Sequence, residues 1–191
     1  PRFLFRIEES NPSTETERYP VLDEYALASR LSYFLWSTMP DEELIELADR
    51  GDLRRELTKQ VFRMLKDPKA SQGIVRNFTG QWLQVRDVIT VEINGKAVLG
   101  KGKVNGNRKT KYDFDGKIRQ VMRTETEMYF GHVMREDRSV LEFLDSDYTF
   151  LNEKLAQQYD IPNVEGDEFR MVKLPPGSPR GGVLTQGTVL A

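Results

Sequence analysis

The sequence predicts a mainly α fold, and three observations carry that prediction. Apolar residues recur at three- and four-residue steps in several segments, which is the spacing of a helix with one buried face. Turn signals built from Pro and Gly separate these segments. Strand-like alternation is confined to a glycine-rich stretch at 91–111 and a short stretch near the C-terminus. We therefore expect an antiparallel helical bundle with a glycine-rich hairpin or loop excursion and a short C-terminal strand.

The first predicted helix follows Asp23, which is a suitable N-terminal cap. Its apolar residues keep helical spacing until Pro40 interrupts the segment, and Trp36 belongs to the same pattern, so we expect it in the core. The predicted buried stripe consists of Leu27, Leu31, Phe34 and Leu35. We expect Leu31 to lie at the centre of this stripe.

Three further helices are predicted at short intervals. The second opens at Pro40-Asp41 and stops at Gly51. The third has to finish before Pro68, because proline disfavours a helical residue ahead of it. The fourth has a core-facing pattern that includes the second tryptophan. Its apolar residues are Ile74, Val75, Phe78, Trp82 and Leu83.

The second half of the chain is predicted to contain one long helix and several short elements. The long helix runs from about Asp115 to Glu136, and a short turn of helix follows at 139–144. Thr149 is a suitable cap for a last helix that extends through Tyr159. Alternation at 168–174 predicts the short strand.

Composition argues against several functional classes. Lys+Arg 28 against Asp+Glu 30 gives a net charge of -2 without a clustered basic excess, so nucleic acid is not an expected partner. The cysteine count is zero, which removes disulfides, thiolate metal sites, cysteine nucleophiles and CxxCH haem attachment from this segment. No apolar run approaches the roughly 18 to 20 residues of a membrane-spanning helix. We expect no transmembrane segment here.

The residues that carry candidate chemistry are acids and one histidine. His132, the only histidine, follows Glu125 by seven positions on the predicted long helix, so their α-carbons lie roughly 10 Å apart. A helix usually binds a metal with residues three or four apart, and we therefore predict no metal or cofactor ligands. The ordinary role for His132 is a hydrogen bond to a neighbouring carboxylate such as Glu136. Glu125 and His132 are nevertheless the candidate catalytic residues if the segment is an enzyme.

Other motifs in the chain define no reaction. A G-x-S-x-G nucleophile elbow is absent, and acids paired this closely in sequence are usually solvated rather than catalytic. Arg180-Gly181-Gly182 is typical of a close backbone approach, yet it lacks the spacing of a phosphate loop, and we expect a turn that leads into a helix. Two hypotheses follow. The segment is a non-catalytic scaffold or interaction module, or it is a hydrolytic or oxidative enzyme domain that uses acids together with His132.

Six motifs occur in one order along the chain and resemble those of a known family. They are LASRLSYFLWSTMPDEEL, RMLKDPKA, NFTGQWL, ETEMYF, DYTFLNEKLAQQY and RGGVLTQGTVLA. The series resembles the planctomycete-specific domain four family, also described as domain of unknown function fifteen ninety-two. The likeness covers nearly the whole chain, but the glycine-rich segment from Val91 to Asn107 resembles only some members.

The resemblance implies a domain organisation for the chain. PRFLFRIEE resembles the end of a preceding family domain, so we expect residues 1–20 to be that end with a linker. Residues 21–175 are then the helical family domain, and residues 176–191 resemble the start of a planctomycete cytochrome-type domain. The chain begins at Pro1, and we expect it to be part of a longer bacterial protein whose signal peptide would lie outside it.

The resemblance also implies a cellular context. Proteins of this family are large, resemble exported envelope proteins and often carry a c-type haem segment elsewhere in the chain. A periplasmic or envelope location is implied, with haem c outside this segment. The implied partners are the neighbouring domains of the same polypeptide and a redox partner. No catalytic residues are implied, so the expectation is an uncharacterised helical scaffold or interaction domain, with the enzyme domain as the alternative.

Overall fold

The computed structural model describes residues 10–11, 21–92 and 116–190, and within them the chain is mainly helical, as the sequence predicts. The chain forms two compact units, Pro1–Asn77 and Phe78–Ala191. Most of the predicted glycine-rich excursion, from residue 93 onward, lies outside the described residues. Within the described ranges, no helix is both long and apolar enough to cross a membrane.

The first unit contains a minimal strand pair and three α-helices. Strands β1 (Ser10–Asn11) and β2 (Val21–Leu22) are antiparallel. The helices are α1 (Glu24–Trp36), α2 (Glu42–Asp49) and α3 (Leu57–Lys66). Helix α1 packs against both α2 and α3. A π-helix, Ser71–Thr79, follows, and the division between the two units falls within it.

Local chemistry sets the ends of these helices where the sequence predicts them. The Asp23 carboxylate accepts a hydrogen bond from the backbone N–H of Ala26 at 2.8 Å and caps α1. Asp41 caps α2 in the same way, and α2 ends shortly before Gly51, whose φ of 69° is a conformation that glycine adopts readily. Helix α3 ends before Pro68.

The buried face of α1 differs from the predicted stripe. Leu35 and Trp36 are buried, but Phe34 is 57% exposed and Leu31 is only partly buried. The remaining buried positions are small: Ala26, Ala28 and Ser32. The prediction was wrong there because apolar spacing identifies large side chains, whereas small residues on the inner face allow neighbouring helices to approach closely.

The second unit is built around one long helix. Its α-helices are α4 (Gly80–Trp82), α5 (Gly116–Arg135), α6 (Glu153–Gln158) and α7 (Gly187–Leu190). Strands β3 (Tyr148–Leu151) and β4 (Arg170–Lys173) pair antiparallel, with Thr149 opposite Val172. Short 3-10 helices lie at Asp87–Ile89, Val140–Phe143 and Val183–Thr185. Helix α5 contacts β3, α6 and α7, so these elements surround it.

Two predictions for this half of the chain were wrong. Thr149 lies in β3 instead of capping a helix, and α6 is capped by Asn152, whose side chain accepts from the backbone N–H of Leu155 at 3.0 Å. All four residues of β3 are buried, so the strand lacks the alternation that identifies a strand in sequence. Trp82 is 56% exposed and stacks on Phe78 instead of entering the core.

Because the buried face of α1 contains Leu35 and not Phe34, the two neighbouring residues should respond differently to truncation. We expect Leu35→Ala to lower the free energy of unfolding by about 2–5 kcal/mol, since it leaves a cavity in a close-packed site. Phe34→Ala should cost less than about 1 kcal/mol, because its ring is mostly solvated. Urea unfolding of both variants checks this, and equal losses would contradict the assignment of the buried face.

Candidate functional site

Glu125 occupies the buried face of the long helix α5. It lies three residues after Met122 and four before Tyr129, and both of those side chains are buried as well. Helical geometry therefore places its carboxyl group in an apolar stripe. The side chain is 1% exposed. A carboxyl group at such a position has to find hydrogen-bond partners from other elements.

Both carboxylate oxygens of Glu125 have partners from the same unit. The Thr149 hydroxyl, on β3, donates to Oε1 at 2.7 Å. The Tyr159 hydroxyl, directly after α6, donates to Oε2 at 2.6 Å. One buried acid therefore joins the long helix to a strand and to the end of a second helix.

Tyr159 extends this network to the C-terminal segment. Its hydroxyl oxygen accepts a hydrogen bond from the backbone N–H of Gly187 at 2.8 Å, at the start of α7. The Arg180 guanidinium carbon lies 3.6 Å from the centre of the Tyr159 ring, which is a cation–π contact. Arg180 Nη1 also donates to the backbone carbonyl of Thr185 at 2.7 Å. Arg180 and Gly187 thus connect the C-terminal segment to Tyr159, whose hydroxyl donates to Glu125.

Burial controls the ionisation of the two central groups. Desolvation raises the pKa of Glu125 to about 7, although the hydrogen bonds from Tyr159 and Thr149 and the charge of Arg180 act in the opposite direction. Desolvation and the facing Glu125 carboxylate raise the pKa of Tyr159 well above its ordinary value of 10.0. Tyr159 therefore stays a neutral hydroxyl, and Glu125 is the group that can change charge near neutral pH.

A small cavity of about 10 Å³ adjoins Glu125. Gln186 lines it and is 2% exposed, and both polar atoms of its side chain lack a hydrogen-bond partner among the described residues. Arg180 and Leu174 line this cavity and also a separate open cleft of about 550 Å³. Both polar and apolar residues border the open cleft, and the polar ones include acidic and basic side chains.

The structure gives the two candidate catalytic residues different partners. The His132 ring meets Tyr148 edge-on, with centroids 5.5 Å apart, and lies 5.4 Å from the Phe150 ring centroid. Within the described part of the chain, His132 makes these ring contacts instead of the expected hydrogen bond to Glu136. Glu125 is bonded to Thr149 and Tyr159, as described above. In residues 21–92 and 116–190, no group of three His, Asp or Glu residues is placed to hold a metal ion.

The sequence pointed to Glu125 but not to the residues that complete its site. Thr149 was predicted to be a cap and Tyr159 only the end of a helix, while Gln186 received no role. The signal that could have found the site is the acid itself, because a carboxylate within an apolar helical stripe requires buried donors. Which residues supply them depends on the packing of β3, α6 and the C-terminal segment around α5.

The Arg180-Gly181-Gly182 motif makes the close backbone approach that the sequence predicts. Gly182 has a φ of 68°, and a Cβ there would lie 2.6 Å from the carbonyl oxygen of Phe143. A Cβ on Gly181 would lie 2.8 Å from the carbonyl oxygen of Ser146. The 3-10 helix Val183–Thr185 begins directly after the motif, which confirms the predicted turn into a helix.

Fold and site together define a mainly helical protein whose second unit is organised around a buried carboxyl group. The family model PSD4, described as Protein of unknown function (DUF1592), matches residues 22–161, and the chain belongs to this family. No curated protein and no solved structure matches the chain. The suspected family is thereby confirmed, whereas the predicted boundary at 175 and the cytochrome-type segment after it stay predictions.

The raised pKa of Glu125 makes stability depend on pH. Its folded pKa is about 7 against an ordinary 4.5, so the folded state holds the proton more tightly. The stabilising contribution is complete below pH 4.5 and is lost as the pH rises through 7, a loss of about 3 kcal/mol by pH 8. Denaturant unfolding from pH 4.5 to 8 measures it. Glu125→Gln should flatten the dependence of the free energy of unfolding on pH. The exposed control Glu136→Gln should leave that dependence as it is in the wild-type chain. An unchanged dependence in Glu125→Gln would contradict its assignment to Glu125.

Gly182 should tolerate substitution less well than Gly177. Both glycines have positive φ, 68° and 76°, but a Cβ on Gly177 would have no heavy atom within 4 Å. Gly177→Ala should cost roughly 1–2 kcal/mol from conformation alone. Gly182→Ala should cost a further ~1–3 kcal/mol, because its φ of 68° and ψ of 177° form a conformation that only glycine readily adopts and because its Cβ meets backbone atoms. Thermal unfolding of both variants tests this, and equal destabilisation would show that the contact is easily relieved.

Proposed function

We propose that this chain is a non-catalytic helical scaffold or interaction module of a larger polypeptide. The observation that carries the proposal is the state of Glu125. Both of its oxygens are bonded to hydroxyls of the same unit, and the adjoining cavity of about 10 Å³ has no room for an organic substrate. The most perturbed acid in the described residues is therefore used to hold elements of the fold together.

A catalytic role would require different geometry. A general acid or base has to reach the proton it transfers within about 2.6–3.2 Å, directly or through one water. Glu125 is 1% exposed, and His132 packs among aromatic rings. A shifted pKa occurs at structural hydrogen-bond networks as well as at active sites, so the value of about 7 does not by itself favour catalysis.

We further propose that the parent protein is a large, exported envelope protein that carries haem c outside this segment. Membership of the DUF1592 family supports this, together with the ordered motifs that extend to RGGVLTQGTVLA, where the chain resembles the start of a cytochrome-type domain. The partners are then the neighbouring domains of the same polypeptide and a redox partner. The scaffold would position the haem segment relative to those domains.

One observation favours a second candidate, an enzyme domain of hydrolytic or oxidative type. Glu125 titrates near neutral pH, and Arg180 beside it also lines the open cleft of about 550 Å³, which is large enough for a small-molecule substrate. Asp145 and Asp147 lie on the same cleft. In this candidate, Arg180 moves to connect the cleft with Glu125, and His132 assists the acid.

The test uses the complete parent protein, made in a host that attaches haem c, with Glu125→Gln and the control Glu136→Gln. We expect a haem c band in the reduced-minus-oxidised spectrum of all three proteins, and equal rates of electron transfer to a soluble redox dye, because Glu125 is structural. A parent without haem c would refute the proposed context. If a folded Glu125→Gln protein lost turnover of the redox dye while the Glu136→Gln protein kept it, the result would favour the enzyme-domain hypothesis.

A further inference from the structure

Gln186 carries a buried amide whose surroundings within the described residues leave it unsatisfied. Its backbone is held in place: the N–H donates to the carbonyl of Val183 at 3.1 Å, and the carbonyl accepts from Val189 and Leu190 at 3.1 Å. The side chain offers two N–H donors and one acceptor oxygen, and both of its polar atoms lack a partner among residues 21–92 and 116–190. A buried amide without partners is costly, so such a group requires an explanation.

The cavity that Gln186 lines has the size of one water molecule. Its volume of about 10 Å³ corresponds to roughly one probe sphere, which is close to the minimum that a water requires. Its walls are partly apolar, and their polar residues include Glu125, Thr149, Thr185 and Arg180. A buried water needs two to four polar partners, and this wall supplies them.

The charges around the cavity favour a neutral occupant. Arg180 disfavours a cation there, and the Glu125 carboxylate disfavours an anion. We propose that the cavity is a binding site for a single water molecule, held between the Gln186 amide and the Glu125 carboxyl group. The water satisfies the amide, and it offers Glu125 a further polar neighbour beyond Thr149 and Tyr159.

The protonated form of Glu125 gives this water a second role. Both hydroxyls donate to the carboxylate form of Glu125, and in the protonated form the water adds an acceptor for the carboxylic acid O–H beside the hydroxyl oxygens. The water accepts a hydrogen bond from the protonated Glu125 carboxyl group. The Gln186 side-chain oxygen in turn accepts a hydrogen bond from the water. Arg180 and Leu174 line both this cavity and the open cleft, so the water exchanges with solvent past these two side chains.

A crystal structure of the whole chain at a resolution that shows ordered waters tests the proposal without any substitution. We expect one water peak within about 2.7–3.2 Å of both a Gln186 side-chain atom and a Glu125 oxygen. A Gln186 side chain that bonds to protein groups, or a cavity closed by a neighbouring side chain, would overturn the proposal. A peak that reaches Gln186 but no Glu125 oxygen would overturn the bridging role.

A second measurement detects the water in solution. In nuclear Overhauser spectra of the labelled chain, we expect a cross peak between water and the side-chain amide protons of Gln186, which a long-lived buried water produces. Gln186→Met removes these protons, so loss of the peak in that variant assigns it to the Gln186 amide. Gln157→Met is the matched control, because Gln157 is exposed and its amide donates to Glu153 at 2.9 Å, and it should leave the Gln186 peak unchanged. The absence of the peak in the wild-type chain at all mixing times would count against a bound water.

Discussion

The buried carboxyl group of Glu125 is the constraint on which the second unit depends. Transfer of a carboxylate into a protein interior is strongly unfavourable unless each oxygen is hydrogen-bonded. Thr149 and Tyr159 supply those bonds from β3 and from the end of α6, and Gly187 attaches the C-terminal helix to the same tyrosine. These elements must keep their positions relative to α5, because displacement of any of them would leave a buried polar group unpaired.

The first unit relies on a different combination of forces. Its helices pack through small residues and Trp36, whose indole N–H donates to the carbonyl of Met64 at 2.9 Å. Asp41 has two tasks there, because it caps α2 and also accepts from Arg63 on α3 at 2.6 Å. Both groups of this ion pair are partly exposed, so solvent screens it, and the apolar contacts carry more of the stability.

Membership of a family of unknown function assigns no chemical role to Glu125 and its neighbours, so the chemistry of this site is judged from its geometry. An acid with a pKa near 7 is a common feature of active sites, but the same shift follows from burial alone. Two hydroxyls already donate hydrogen bonds to the Glu125 carboxylate, and the adjoining cavity is large enough for about one water molecule. Those features agree with a group that organises a fold and changes its protonation with pH, rather than one that meets a substrate.

The sequence by itself determined the helical class, the cap at Asp23, the start of the second helix at Pro40-Asp41, the long helix through Glu125 and the close approach at Gly182. Each of these follows from local chemistry or from periodicity within one segment. Only the tertiary structure decided which face of α1 is buried, that 148–151 is a strand, and which donors meet Glu125. Those outcomes depend on contacts between segments that are distant in sequence. The two donors to Glu125 lie 24 and 34 positions from it, and no local pattern encodes which distant hydroxyl a buried acid will meet.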